Sequence, residues 1–333
     1  MSKSMFNTYG PKGRLLWDSW FFEREGTVHA FYLQARSSTN PDEKHEKRVT
    51  IGHAVSNNFR DWSERATALE PGSGKAWDSL ALWTGSVIEK DKKYYMFYTG
   101  RNSDPGKMWI QKIGLAVSND LDHWKKSRRN PILKADKPYY MDNNLNALGK
   151  IGAWRDPFVF FDPHHESYFM TISARLKGLK TEYNGCVALA ESKDLIDWKL
   201  QAPIFAPGVY DEIECTQMIR NRGFWYLFFS THAKAYESGF AKKIGGACGG
   251  LHCYYADHIF GPYWPVNENG VVLANEKKMY DIRLIPDKGD DFNALGWLKT
   301  GNGKYSGRFT PPFKLRIEGS RVFAPVPPAS TAV

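Results

Sequence analysis

Short apolar and aromatic runs recur along the chain, separated by polar stretches rich in Gly, Asn, Asp and Pro. The clearest are Val28–Leu33, Tyr94–Tyr98, Ser167–Thr171 and Phe224–Phe229. Runs this short, rich in β-branched and aromatic residues, predict strands. Asp91-Lys92-Lys93 and Asn221-Arg222-Gly223, which precede two of them, read as hairpin turns. No stretch holds a 3.6-residue apolar period long enough to predict a long amphipathic helix.

The pattern repeats. Ile51–Trp62, Ile113–Trp124, Cys186–Trp198 and, more weakly, Gly250–Trp264 each run from an apolar strand through a polar turn to a tryptophan. These tryptophans lie 62, 74 and 66 residues apart. A unit of this length, built of about four strands, fits a β-propeller blade. The stretch from Asp281 to Phe323 supplies strands for a fifth blade, the clearest being Phe313–Ile317 and Arg321–Phe323. The N-terminal segment is expected to close that blade. The predicted fold is all-β, a single five-bladed β-propeller over residues 1–324, with a disordered C-terminal tail at 325–333. Closing the sheets into a ring removes long free edges. The repeated tryptophans are expected in the core.

Composition narrows the class. Of 333 residues 42% are hydrophobic and 15% aromatic, which excludes disordered, collagen-like and coiled-coil chains. No apolar run approaches the roughly 18 residues of a membrane helix, so no membrane partner is expected. The net charge is +9, but its sources are scattered: Lys44, Lys47 and Arg48, then Lys92 and Lys93, then Lys125, Lys126, Arg128 and Arg129. That spread reads as solvated surface, not a nucleic-acid footprint. Four cysteines are too few for a disulfide scaffold and are expected reduced. Cys248, His252 and Cys253 lack a second Cys/His pair at ligand spacing, so no metal site is assigned. Met1–Phe6 lacks the apolar core of a secretory signal. The expected location is cytoplasmic, unless a leader has been removed. Oligomeric state is left open.

Three acids stand where a solvated acid is not expected. Asp18 sits between Trp17 and Trp20. Asp156 lies in Trp154-Arg155-Asp156-Pro157, where the proline predicts an extended Asp156 and adjacent side chains on opposite faces. Glu214 follows Glu212 by two residues, so a strand would place both on one face, and their repulsion would raise at least one pKa. Inner strands of a propeller bring distant residues to one axis. There, a carboxylate nucleophile and a carboxylic acid would suit glycoside cleavage.

These segments resemble those of the five-bladed propeller enzymes acting on fructosides, the levansucrase and invertase families (glycoside hydrolase families 68 and 32). Trp17-Asp18-Ser19-Trp20 resembles the levansucrase nucleophile segment, and Leu82-Trp83-Thr84-Gly85-Ser86 the stretch that follows it. Arg155-Asp156-Pro157 resembles the RDP motif of both families, and Asp211-Glu212-Ile213-Glu214 the acid/base segment. The likeness covers about residues 14–265. It implies Asp18 as nucleophile, Glu214 as acid/base and Asp156 as a transition-state stabiliser. It also implies Trp17, Trp83, Thr84, Arg155 and Glu212 as substrate-binding residues. Cys215 stands where levansucrases carry Arg, as in the Glu-Cys of invertases. Ser230–Lys234 occupies the loop where a basic residue is expected beside the leaving-group sugar. The implied activity is a retaining fructosidase or fructosyltransferase on a small carbohydrate such as sucrose, without metal or organic cofactor. Two rivals share the layout: an arabinofuranosidase or xylosidase, and a non-catalytic sugar-binding propeller.

Overall fold

The computed structural model describes residues 8–38, 48–104, 110–135, 139–141, 153–177, 182–274, 276–301 and 304–324. The tail at 325–333 lies outside the described residues. Blade 1 is formed by β1 (Arg14–Arg24), β2 (Thr27–Arg36), β3 (Thr50–Ser56) and β4 (Ser63–Glu64). Blade 2 takes β5 (Ala81–Lys90), β6 (Lys93–Arg101), β7 (Gln111–Ser118) and β8 (Lys125–Lys126). Blade 3 takes β9 (Trp154–Asp162), β10 (Ser167–Arg175), β11 (Gly185–Ser192) and β12 (Lys199–Phe205). Blade 4 takes β13 (Glu214–Asn221), β14 (Phe224–Thr231), β15 (Gly250–Ala256) and β16 (Trp264–Pro265), with β17 (Val271–Ala274) also on β15 and the short helix α1 (Ser238–Lys243) in a loop. Blade 5 takes β18 (Met279–Pro286), β19 (Asp291–Gly301), β21 (Phe313–Glu318) and β22 (Arg321–Phe323), with β20 (Lys304–Phe309) also on β19. The five sheets form the expected β-propeller, and the four predicted aromatic runs are the second strands β2, β6, β10 and β14.

The polar turn of the repeat has one geometry. Ser56, Ser118 and Ser192 each start a turn in which Asn58, Asp120 or Asp194 accepts two following backbone N–H groups. Phe59, Leu121 and Leu195 each take positive φ. Each turn then accepts the indole N–H of its tryptophan on a carbonyl: Trp62 to Phe59, Trp124 to Leu121, Trp198 to Leu195. Side-chain oxygens that satisfy turn amides explain why Ser, Asn and Asp recur at these places.

Two expectations are corrected here. The repeated tryptophans are not core residues. Trp62, Trp124 and Trp198 are half-buried, and Trp264 is 59% exposed. They cover the seams between blades: Trp124 meets Phe31 of blade 1 edge-on, Trp198 meets Phe97 of blade 2, and Trp62 meets Phe309 of blade 5. In the fourth unit Phe260 makes the corresponding contact, with Phe169 of blade 3, which leaves Trp264 outside. Nor does the N-terminal segment complete blade 5. Among the described residues every strand of that sheet comes from residues 279–323, and the N-terminal segment adds only local bonds, such as the Phe309 N–H to the Tyr9 carbonyl.

Polar bonds tie neighbouring blades together. Val159 N–H donates to Ser86 Oγ (3.0 Å), Thr171 and Thr216 share a 2.8 Å hydroxyl bond, and Gln217 exchanges two bonds with the Leu284 backbone. The apolar layers between sheets are filled by residues such as Phe31, Phe97, Met170, Leu227 and Leu295, all buried. The ring therefore has a rigid centre onto which side chains can be aimed.

Candidate active site

Each innermost strand carries one extra residue relative to its partner, a β-bulge, at the same depth. It falls between Trp17 and Ser19 in β1, between Trp83 and Gly85 in β5, and opposite Thr171–Ser173 in β9. In β13 it falls between Glu214 and Gln217, and in β18 between Tyr280 and Arg283. A bulge re-aims side chains and releases them from strict alternation. Here it turns Asp18, Thr84, Asp156 and Cys215 toward one axial cavity of about 220 Å³, which Trp83, Arg155, Glu212, Glu214, His232 and Tyr280 also line.

The extended conformation expected for Asp156 is not found. Its φ is +59°, and Arg155 and Asp156 face the same cavity. Local bonds outweigh the preference imposed by Pro157. The Asp156 N–H donates to Thr99 Oγ1 (3.0 Å), while its Oδ2 accepts from Ser173 Oγ and the Cys215 N–H, both at 3.0 Å. Non-glycine residues at positive φ persist where surrounding contacts over-determine them, often at functional sites.

Arg155 organises the acids. One of its terminal nitrogens donates to Glu212 Oε1 (3.0 Å) and Glu214 Oε1 (2.8 Å), and its Nε lies 3.7 Å from Asp156 Oδ2. Glu212 precedes β13 rather than sharing a strand face with Glu214, yet both carboxylates converge on the guanidinium. Behind them, buried Arg175 pairs with Asp211 (2.7 Å) and approaches Glu212 (3.5 Å). Tyr280 donates its hydroxyl to Glu214 Oε2 (2.5 Å). The His232 ring is stacked on Tyr280, with its Nε2 3.6 Å from Glu214 and its Nδ1 3.5 Å from Glu276. Trp297 Nε1 donates to Asp18 Oδ1 (2.8 Å). The Trp83 ring carries the Arg101 guanidinium 4.5 Å above it.

The electrostatics differ from the sequence expectation for Glu214. Burial raises its pKa, but Arg155, His232 and the Tyr280 hydrogen bond together outweigh burial and hold the carboxyl down at about 2. Arg155 relieves the repulsion between Glu212 and Glu214 that was expected to raise it. Asp281 behaves oppositely. Burial, with Asp156 nearby, pushes it up to about 6 against the pull of Arg283, the Ser19 N–H and the Cys215 thiol. Burial also pushes the Cys215 thiol and the Tyr280 hydroxyl well up.

Seven of the eight sequence-predicted site residues line the cavity: Asp18, Trp83, Thr84, Arg155, Asp156, Glu212 and Glu214. Trp17 is fully buried and does not line it. Tyr280, Trp297 and Asp281 were missed. The strand register shows what the sequence did not: Tyr280-Asp281 stands at the blade position held by Trp17-Asp18, Trp83-Thr84 and Arg155-Asp156. A wider, more open depression of about 460 Å³ near Arg129, Asp197 and Trp198 has only one acid, paired with Arg129. Cys248, His252 and Cys253 do not come together as a ligand cluster among the described residues, and His252 is buried against Phe229.

A closed ring of five sheets with clustered acids, a guanidinium and aromatic rings at its axis is the architecture of a propeller glycosidase. Comparison with known proteins narrows this. The glycosyl hydrolases family 32 N-terminal domain matches residues 19–244, and the levansucrase/invertase family matches residues 181–324. Levansucrase LscB of Pseudomonas savastanoi pv. glycinea is 23% identical over 83% of this chain and 69% of its own length. Levansucrase LscA of the same organism is 25% identical over 72% of this chain, which spans 64% of that relative. Among solved structures, the inulosucrase from Halalkalicoccus jeotgali bound to kestose superposes with a TM-score of 0.79 at 22% identity, over 95% of this chain and 89% of that one. The chain belongs to the levansucrase/invertase-type five-bladed glycosidases, a family of glycoside hydrolases and fructosyltransferases.

Proposed function

We propose that the chain is a retaining fructosidase or fructosyltransferase that cleaves sucrose-like β-fructofuranosides by double displacement. The observation that carries this reading is that Asp18, Glu214, Arg155 and Asp156 line one cavity. Levansucrase relatives support the substrate class. Asp18 Oδ attacks the anomeric carbon as the glycosidic C–O bond breaks, and Glu214 gives its proton to the leaving oxygen. Glu214 then takes a proton from water or an acceptor hydroxyl, which opens the fructosyl ester. Asp156 is held by three hydrogen bonds and does not react. It binds sugar hydroxyls and stabilises the oxocarbenium-like charge, and Arg155 adds a second contact. Trp83 offers its ring to sugar C–H faces.

The test is a panel of sucrose, raffinose, inulin, levan and aryl arabinosides, with products separated by chromatography. Fructose release or fructosyl transfer is expected, and the product pattern tells hydrolysis from transfer. Cleavage of the arabinosides alone would overturn the reading. Asp18→Asn is expected to abolish turnover with the fold intact. Glu214→Gln is expected to slow poor leaving groups far more than activated ones, and equal losses would point to a different acid.

A further inference from the structure

The Asp281 carboxylate is buried, with the residue 1% exposed, and φ is +46° at the blade 5 bulge. Its Oδ2 accepts the Ser19 N–H at 2.6 Å, a bond that spans the seam where blade 5 meets blade 1. Ser19 follows Asp18 directly, so this bond fixes the backbone beside the carboxylate assigned as nucleophile. From the neighbouring strand β19, Trp297 holds that carboxylate itself. An oxygen of Asp18, an oxygen of Asp281 and the Cys215 sulfur all lie within 4.8 Å of one another. Arg283 Nε lies 2.7 Å from Asp281 Oδ1, while its Nη1 donates to the Thr216 carbonyl of the blade 4 bulge (2.9 Å). Blades 1, 4 and 5 thus meet at one buried carboxyl group.

We propose that Asp281 is a positioning residue for the nucleophile: it grips the backbone beside Asp18, and its charge acts across the cluster on the Asp18 carboxylate. The inference rests on the fructosyl-transfer reading above. The ionisable groups facing Asp281 are Arg283 on its own strand, Asp18 from β1, Asp156 from β9 and Cys215 from β13. Burial raises the Asp281 pKa to about 6, which places its charge change within the working range of an enzyme. Below that pH Asp281 is neutral. Above it, a second negative charge stands beside Asp18. When Asp18 Oδ bonds to the anomeric carbon and the glycosidic C–O bond breaks, Asp18 loses its charge and the repulsion is relieved. An ionised Asp281 therefore favours formation of the ester.

The experiment is a rapid-quench burst with an activated aryl β-fructofuranoside, whose departure needs little help from Glu214, followed from about pH 4.5 to 8. The wild type is expected to show a burst rate that rises about tenfold through pH 6. Asp281→Asn keeps an acceptor for Ser19 and removes the charge; it is expected to give a flat, low rate with the far-UV spectrum unchanged. An Asp281→Asn profile that tracks the wild type would overturn the inference. So would a wild-type profile with no step between about pH 5 and 7, a result that needs no variant to fold. Absence of any burst from the wild type, or a burst that survives Asp18→Asn, would instead sink the fructosyl reading and take the inference with it.

Discussion

Replacing Glu214 by Gln probes the charge cage around the proposed acid/base directly. The Glu214 carboxyl is held at about 2 against 4.5 for a free side chain, despite its burial. At 1.36 kcal/mol per unit, the ionised form contributes about 3 kcal/mol of folding stability at neutral pH. Because the folded value is depressed, this contribution is complete above the unfolded value near 4.5 and is lost as the pH falls toward 2. About 2 kcal/mol of it disappears by about pH 3. Glu214→Gln has no proton to take up there. The assay is urea unfolding, followed by tryptophan fluorescence, at a series of pH values. The difference in unfolding free energy between wild type and variant is expected to shrink by about 2 kcal/mol from pH 6 to pH 3. Acids common to both proteins cancel in that difference. Parallel stability curves through this window would refute the view that Arg155, His232 and Tyr280 outweigh burial. The same cage bears on catalysis, since a group ionised in the free enzyme becomes an acid only if bound sugar changes its surroundings. The reading therefore expects substrate to draw Arg155 toward sugar hydroxyls and leave Glu214 to burial.

Two further outcomes follow from single contacts. Trp297→Phe removes the indole donor from Asp18 Oδ1 and is expected to lower kcat about tenfold with the far-UV spectrum unchanged; a rate within about twofold of wild type would count against that bond orienting the proposed nucleophile. Gly85→Ala places a Cβ 2.0 Å from the Phe97 carbonyl across the blade 2 bulge. It is expected to cost about 3 kcal/mol and several degrees of melting temperature, whereas an unchanged melting curve would show that the sheet yields there without strain.

The parts of the fold that were legible are those set by local chemistry. Ser-x-Asx turns and aromatic second strands recur because turn amides and buried sheet faces demand those residue types, so blade number could be counted. The tryptophans misled because recurrence marks a structural position, not its depth: their indole N–H groups are bound at the rim, where they bridge blades. The site was legible where an acid stood in an apolar context, as at Asp18 and Asp156. Asp281 was hidden, because Met-Tyr-Asp-Ile-Arg-Leu reads as an ordinary strand with an acid and a base on one side. The left-handed turn at Asp156 was equally hidden, since the rule for residues before proline is local and the bonds that overrule it come from Thr99, Ser173 and Cys215.

The extra residue in each inner strand works as a socket. What occupies it at Asp18 or Thr84 is held by the hub of the ring yet is no part of the apolar layers between the sheets. Chemistry at the hub can therefore be exchanged one socket at a time while those layers stay as they are. Blade 2 offers the least committed socket, because Thr84 brings no charge. Evolution or engineering could remodel sugar preference there without first redesigning the wheel.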